Sequence, residues 1–505
     1  MRLTDELTDE PNERSGLERA DRRTAAHQAL TYGRCMTSAQ PRATETAEND
    51  TAPPTELHVD LLVIGWGKAG KTLAGRIAGA GKRVALVERS PIMYGGTCIN
   101  IACVPTKDLI VSAEERRETD DPASYFAQAV AGRDALIGKL NAANHAMLAD
   151  KDTVTLIDGY ARFVDPKEVV VATDSGEVRF TAETVVVGTD ATPRPLSVPG
   201  GDLPGVYDST TIQHADPFPK RLVIAGGGFI GMELASMFTN FGSQVTVLDS
   251  GDELLPRLDR DVAALVAESL TDRGVEVRQG VEVERIERTS SGLRVVTGDG
   301  DVEADAVLAA IGRVPATSDL GLDAAGIETD DRGIVVVDDQ LRTSVDGVFA
   351  VGDINGGPQF TYISLDDNRI VYDAIAGDGT RRRSDRVAVP NTTFITPPIS
   401  TVGLSEAEAR EQGLDVLVAS KPVAKIAAMP RPKIVGETHG VIKFVVDAAS
   451  RRILGAALFC IDSQELVNMV ALAMRLGATA DDLRDGIWTH PSSTEAFNEV
   501  LAELT

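Results

Sequence analysis

An apolar, strand-like run that stops at a glycine-rich loop occurs twice in this chain, and the repetition narrows the folds open to it. Val59 to Ile64 runs into Gly65-Trp66-Gly67-Lys68-Ala69-Gly70; a helical stretch follows, and Val84 to Val87 ends at Glu88. Arg221 to Ala225 runs into Gly226-Gly227-Gly228-Phe229-Ile230-Gly231; again a helical stretch follows, and Val245 to Leu248 ends at Asp249. Each copy reads as a βαβ unit with a glycine-rich first turn. In such a turn the first glycine permits the tight bend, the second lets a pyrophosphate approach, and the third lets the helix pack close to the strand. Gly65, Gly67 and Gly70 thus form one candidate dinucleotide loop, and Gly226, Gly228 and Gly231 form a second. Two such units predict two dinucleotides.

The first loop is ambiguous, because Gly65 to Thr72 also spells the GxxxxGKT pattern of nucleotide triphosphatases. Spacing separates the two readings. Glu88 closes the second strand 23 residues after Gly65, where the partner of a ribose 2′-hydroxyl belongs. No apolar strand ends in a convincing magnesium-carrying aspartate. Lys68 and Lys71 then read as ordinary side chains at a helix start. In the second unit the ribose acceptor is Asp249, a carboxylate that accepts both ribose hydroxyls and repels a 2′-phosphate. No arginine follows until Arg257. The expectation is NADH, with NADPH disfavoured.

Chemistry enters with the cysteines. The chain has four in 505 residues, and two of them, Cys98 and Cys103, stand at i and i+5 in Gly95-Gly96-Thr97-Cys98-Ile99-Asn100-Ile101-Ala102-Cys103-Val104-Pro105-Thr106-Lys107. On the first turns of one helix this spacing puts both sulfurs near one face, within reach of a disulfide. A helix N-terminus also favours a thiolate. The pair reads as a dithiol that opens and closes, against the plainer alternative of two small buried cysteines. Cys460, in Leu458-Phe459-Cys460-Ile461, reads as packing, and His439 and Met429 as structural.

Composition bounds the rest. The length suits about three domains, and the 43% hydrophobic content with 46 glycines suits a globular α/β chain. The net charge of −26, spread along the chain, argues against nucleic acid and anionic membrane as partners. No apolar run is long enough to cross a membrane, the polar, acidic start is no export signal, and few cysteines fit a cytoplasmic protein. Residues 1–55 read as a disordered tail, with one short helix around Leu17 to Leu30, an inert Cys35, and Met36 as an alternative start. The expected divisions are a first part of an FAD-binding domain at 56–205, an NAD(P)-binding domain at 206–334, the second part of the FAD-binding domain at 335–388, and a C-terminal α+β domain at 389–505. In the last, strands Gly440 to Val446 and Ile453 to Phe459 alternate with a helix from Ser463 to Leu476.

Taken together, residues 57 to 505 resemble the flavin-dependent pyridine nucleotide-disulfide oxidoreductases. Four motifs stand in that family's order: the loop at Gly65, the Cys98–Cys103 segment, Thr343-Ser344-Val345-Asp346-Gly347-Val348-Phe349-Ala350-Val351-Gly352-Asp353, and His490-Pro491-Ser492-Ser493-Thr494-Glu495. The resemblance implies two Rossmann-like domains, one for FAD and one for NAD, plus a dimerisation domain. It implies that Cys98 is the interchange thiol that meets substrate and Cys103 the thiol against the flavin. Lys107 would lie near the reactive flavin nitrogen with Glu233 as its carboxylate partner. Asp353 would contact the ribityl chain, and Gly96, Thr97 and Gly312 complete the cofactor contacts. His490, held by Glu495, would be the acid/base that serves the partner subunit's cysteines in a homodimer. No residue is assigned to a resident metal. One departure is Ala102, where the family usually has glycine.

Within the family, mercuric reductases end in a vicinal cysteine pair, whereas here no cysteine follows Cys460. Longer stretches around Trp66, Tyr94, Phe360 to Asp367 and Thr396 to Ser400 are similar to the bacterial reactive-chlorine resistance oxidoreductases, which reduce hypothiocyanous acid and for which copper reduction has also been described. That implies a small oxidant as substrate, in oxidative-stress defence. The alternatives are a dihydrolipoamide dehydrogenase or other disulfide reductase and, in a different class, a copper-binding or redox-sensing protein.

Overall fold

The computed structural model describes residues 55 to 504. The expectations for the N-terminal stretch (its disorder, the helix at Leu17 to Leu30, Cys35 and the start at Met36) lie outside the described residues.

Thr55–Ile64 is the spine of the first sheet, which has seven strands. It pairs in parallel with Val84–Glu88 on one side and Gly176–Val187 on the other, with Leu61 opposite Val84 and Thr184. Val154–Asp158 extends the parallel set beyond Val84–Glu88. A hairpin, Tyr160–Asp165 and Glu168–Thr173, pairs antiparallel with the first half of Gly176–Val187. The last three residues of that long strand pair in parallel with Val348–Ala350. Every residue of Val84–Glu88 is buried, as a parallel sheet covered on both faces requires.

Helix α1 (Lys68–Gly79) leaves the first glycine loop and buries Ala69, Leu73, Ala74 and Ile77 against this sheet. It can pack so close because Gly70 has no side chain: a Cβ there would sit 2.7 Å from Val63 Cγ1. Gly65, at φ +98°, adopts the left-handed backbone the bend demands, and a Cβ would stand 2.4 Å from the Gly188 carbonyl oxygen. After the short helix α2 (Thr97–Asn100) come α3 (Cys103–Glu115) and the 28-residue α4 (Pro122–Ala149), which Asp121 caps by accepting the Ser124 N–H.

The second sheet is fully parallel, in the order Val275–Gln279, Gln244–Asp249, Arg221–Ala225, Ala306–Ala309, Val206–Asp208. Its helix α5 (Phe229–Phe241) starts at the second glycine loop and is buried along most of its length. Helix α6 (Thr361–Ala376) packs on α1. The C-terminal part is a five-stranded antiparallel sheet, in the order Asn391–Thr393, Ile399–Gly403, Ile453–Phe459, Val441–Asp447, Val416–Pro422, covered by α7 (Ser463–Leu476). The architecture is thus the expected one: two dinucleotide-type layers, the first a parallel set extended by an antiparallel hairpin and the second fully parallel, and an α+β cap.

One apolar cluster fixes the position of α3. Leu109, Ile110 and Ala113 on its inner face join Phe126 from α4, Phe238 and Phe241 from α5, and Ile399 and Phe459 from the C-terminal sheet. Burying the leucine and isoleucine contributes about 2 kcal/mol each, so the middle and last turn of α3 are held by packing against three parts of the chain.

Candidate active site

The turn Gly95-Gly96, with φ +100° and +85°, folds onto the first dinucleotide loop. A Cβ on Gly96 would lie 2.7 Å from Gly67 Cα, so Thr97 and Cys98 start immediately beside the candidate phosphate site. Asn100 Nδ2 closes the turn by donating to the carbonyls of Gly96 (2.8 Å) and Tyr94 (3.0 Å).

Cys98 and Cys103 do not share one continuous helix, contrary to the expectation from their spacing. Cys98 sits in the single turn α2, and Cys103 is the first residue of α3. Ile101 and Ala102 leave the helical conformation between them, at φ −138°, ψ −8° and φ −124°, ψ −98°. Pro105 supplies the reason. In an unbroken helix it would forfeit the bond to the Ile101 carbonyl and clash with it, whereas in the first turn of α3 no N–H is needed. The released Ile101 carbonyl accepts Gln213 Nε2 at 3.2 Å.

Both thiols are free. Cys103 donates to Cys98, the Thr361 hydroxyl adds a second hydrogen bond, and the Lys71 ammonium lies nearby; together they outweigh burial and Asp190 and hold the Cys98 thiol down to about 6. The hydrogen bond to Cys98 pushes the Cys103 thiol far above its usual range, although Lys107 pulls the other way. At neutral pH the pair therefore carries one negative charge, shared across the contact between the two sulfurs. Thr361, the first residue of α6, places Oγ1 3.9 Å from Cys103 Sγ.

One turn beyond Cys103, Lys107 Nζ meets Glu233 Oε2 at 2.7 Å. Glu233 comes from α5, and its Oε1 accepts the Phe394 N–H at 2.9 Å. The ion pair thus ties both dinucleotide layers to the C-terminal part. On the other side of the redox turn, Glu88 is buried, which lifts its carboxyl to about 7; Oε2 accepts the Trp66 N–H at 3.1 Å. Asp353 is lifted to about 8 by burial and by Asp190, against Arg313, whose Nε lies 3.9 Å away. Gly312, at φ +109°, offers its carbonyl to the Arg194 N–H at 2.9 Å.

Lys71 departs from the sequence reading. It is not an ordinary helix-start side chain but is 7% exposed, with Nζ donating to the Gly95 carbonyl (3.2 Å) and Asn144 Oδ1 (2.5 Å). Lys71, Asn144, Gln213 and Thr361 are the site residues that the motifs missed. A signal existed for Lys71 alone: it interrupts the apolar face Ala69, Leu73, Ala74, Ile77 of α1.

In the second layer, Asp249 ends its strand beside the loop. Its Oδ1 accepts the Gly251 N–H at 3.0 Å, and a Cβ on Gly227 would fall 2.3 Å from Oδ2. His490 lies apart from these groups. Its side chain is 72% exposed, with Nδ1 2.8 Å from Glu495 Oε1. Glu495 Oε2 accepts the Ser492 N–H at 2.8 Å, and the bond to His490 holds the Glu495 carboxyl below its ordinary range. Cys460 is fully buried and its thiol is pushed up by that burial. Met429 is buried, and His439 pairs with Glu437.

The residues fit two dinucleotides. The face of Gly67 is open, since a Cβ would meet nothing nearer than the Gly188 carbonyl at 3.6 Å, and a Cβ on Gly228 would meet nothing within 4 Å. Both loops therefore leave room for a pyrophosphate against bare backbone, with a carboxylate, Glu88 or Asp249, at the end of the next strand. Among the described residues, no group of three or more His, Cys, Asp or Glu side chains could hold a metal ion, and no helix is long and apolar enough to cross a membrane.

Known proteins agree with this reading of the geometry. Residues 59–367 match the family model of pyridine nucleotide-disulphide oxidoreductases, and residues 389–501 match that family's dimerisation domain. The chain is 43% identical over 442 residues, 87% of its length and 98% of the other's, to the probable pyridine nucleotide-disulfide oxidoreductase RclA of Escherichia coli K12. It is 33% identical to dihydrolipoyl dehydrogenase 2 of Haloarcula marismortui, over 88% of this chain and 96% of that one. A solved structure of E. coli RclA, a HOCl-induced flavoprotein disulfide reductase in complex with Cu(II), superposes with a TM-score of 0.85 at 42% identity, covering 89% of this chain and all of that one. The dimerisation domain supports a homodimer, and the family brings a flavin and a pyridine nucleotide with it. With an open dithiol between two dinucleotide layers, the chain is an oxidoreductase that belongs to the pyridine nucleotide-disulphide oxidoreductase family.

Proposed function

We propose that the protein is an FAD-dependent, NADH-consuming reductase of a small electrophilic oxidant, hypothiocyanous acid, acting in the cytoplasm in defence against reactive chlorine species. The observation that carries this reading is the open pair of Cys98 and Cys103, which holds one ionised sulfur at neutral pH, with Cys98 as the interchange thiol. Such a sulfur attacks a small electrophile directly. The likeness to RclA, described as HOCl-induced, supports the same direction.

FAD and NADH, when bound, supply the hydride and two-electron chemistry that keeps the pair reduced. The chain's own residues do the rest. The Cys98 thiolate attacks the sulfur of hypothiocyanous acid, an S–S bond forms, and hydroxide leaves. The Cys103 sulfur then displaces thiocyanate from Cys98, closes the Cys98–Cys103 disulfide and releases the Cys103 proton, which with the hydroxide makes water. His490 of the partner subunit, its ring oriented by Glu495, passes that proton. Lys107, held by Glu233, would serve the flavin ring, and Glu88, Gly96, Thr97, Gly312 and Asp353 would hold the rest of the flavin dinucleotide. Asp249 takes the ribose hydroxyls of NADH and disfavours NADPH. The same reading divides the chain at residues 56, 206, 335 and 389 into the FAD, NAD, second FAD and dimerisation segments.

Copper(II) is a second acceptor, on the strength of the Cu(II) complex of RclA. NADH oxidation by the flavin-loaded protein, with hypothiocyanous acid, lipoamide and copper(II) side by side, tests the proposal. Turnover on hypothiocyanous acid should fall about a thousandfold or more in Cys98→Ser with flavin retained. Fast turnover on lipoamide alone moves the protein to the dehydrogenase branch.

A further inference from the structure

Buried lysines are rare because an ammonium loses its hydration on burial, and such a group normally stands against a carboxylate. Lys443 obeys that rule, with Asp259, Asp261 and Glu406 around it. Lys71 does not. It is as inaccessible as a core residue, and its two hydrogen-bond acceptors are neutral: the Gly95 carbonyl and the Asn144 side-chain oxygen. Among the described residues it forms no ion pair. Gly95 is the residue that opens the turn leading to Cys98, three positions on.

We propose that Lys71, oriented by Asn144, is a positioning residue for the interchange thiol: a buried positive charge that braces the Gly95-Gly96 turn leading to Cys98 and favours ionisation of that thiol. This deepens the proposed function and rests on its assignment of Cys98 as the nucleophile. The groups facing Cys98 are Cys103 and Thr361, which donate to it, Lys71, which favours its charge, and Asp190, which opposes it. Lys71 itself faces Lys68, which works against its charge, and Cys98, which supports it. Burial and Lys68 bring the ammonium down to about 8, so it is still charged at neutral pH. A small, anionic-leaving-group electrophile gains most from a nucleophile kept ionised this way, since no substrate binding energy is needed to deprotonate it.

The test is alkylation of Cys98 by iodoacetamide in the NADH-reduced holoenzyme, followed against pH by mass spectrometry. In Lys71→Met the midpoint should rise by about 1 pH unit or more. Asn144→Asp keeps the lysine but pairs it with a carboxylate, so its midpoint should rise too, and this variant serves if Lys71→Met does not fold. An unmoved midpoint in both variants overturns the proposal. So does loss of flavin from Lys71→Met with an unmoved midpoint in the molecules that retain it, which assigns the lysine to the dinucleotide phosphate. The alkylation needs no oxidant. A raised midpoint without turnover on hypothiocyanous acid therefore removes the substrate reading and leaves Lys71 in place.

Discussion

Two loops of one sequence pattern open the two parallel sheets, yet their surroundings differ. The Gly65 loop is roofed by a second piece of chain: Gly96 lies directly on Gly67, Trp66 is 1% exposed, and Lys71 is buried behind them. At the Gly226 loop the close neighbour is the carboxylate of its own unit, Asp249, against Gly227, and the space over Gly228 is empty. The pattern alone says only that a pyrophosphate can approach. What packs over the loop decides whether the dinucleotide is enclosed as a resident group or admitted and released with each turnover.

The sharpest way to break this comparison is to add one methyl to each loop. A Cβ at Gly70 falls 2.7 Å from Val63 Cγ1, and one at Gly231 falls 2.0 Å from the Gly226 carbonyl oxygen. Gly70→Ala should lose its flavin on desalting. Gly231→Ala should keep the flavin but lose about a hundredfold in the rate at which NADH reduces it, the cost of a misplaced cosubstrate. Flavin loss from both variants would erase the distinction.

The buried carboxylate of the first unit gives a smaller, pH-dependent effect. Glu88 titrates near 7 in the fold against 4.5 in the unfolded chain, so the folded state holds its proton more tightly. That stabilisation is complete below about 4.5 and is lost as pH rises through about 7, a change of about 3 kcal/mol at most. The Tm of flavin-free protein should fall between pH 5 and pH 7.5 by more in the wild type than in Glu88→Gln. Equal slopes would mean that the site is open to water. Next in size is cosubstrate choice: Asp249→Ser should lower the ratio of kcat/KM for NADH over NADPH by about tenfold. The smallest change is Trp66→Phe. It removes an indole N–H that has no hydrogen-bond partner among the described residues and also some ring volume, so stability should move by about 1 kcal/mol or less with flavin retained.

Much of this was legible in the sequence because glycine and cysteine act locally. The loops at Gly65 and Gly226, the strand ends at Glu88 and Asp249, and the three-layer architecture all follow from spacing within some thirty residues. The Lys107–Glu233 contact followed from family likeness, since no local pattern joins residues that far apart. The continuous helix expected through Cys98 and Cys103 is broken by one residue, Pro105, whose place in the first turn of α3 goes with the break at Ile101-Ala102. Lys71 reads as an ordinary helix-start side chain because its burial is made elsewhere, by the Gly95-Gly96 turn and by Asn144 on α4. A side chain covered by distant chain leaves no mark in its own neighbourhood.

On the proposed mechanism the outward-facing His490, anchored to Glu495 rather than to any cysteine of its own chain, would make each protomer half a machine. Two disabled genes should then rescue one another. A Cys98→Ser chain still lends a histidine, and a His490→Ala chain still lends its thiols. Random pairing of the two in one cell should yield about a quarter of the normal number of working sites, whereas either gene alone yields almost none.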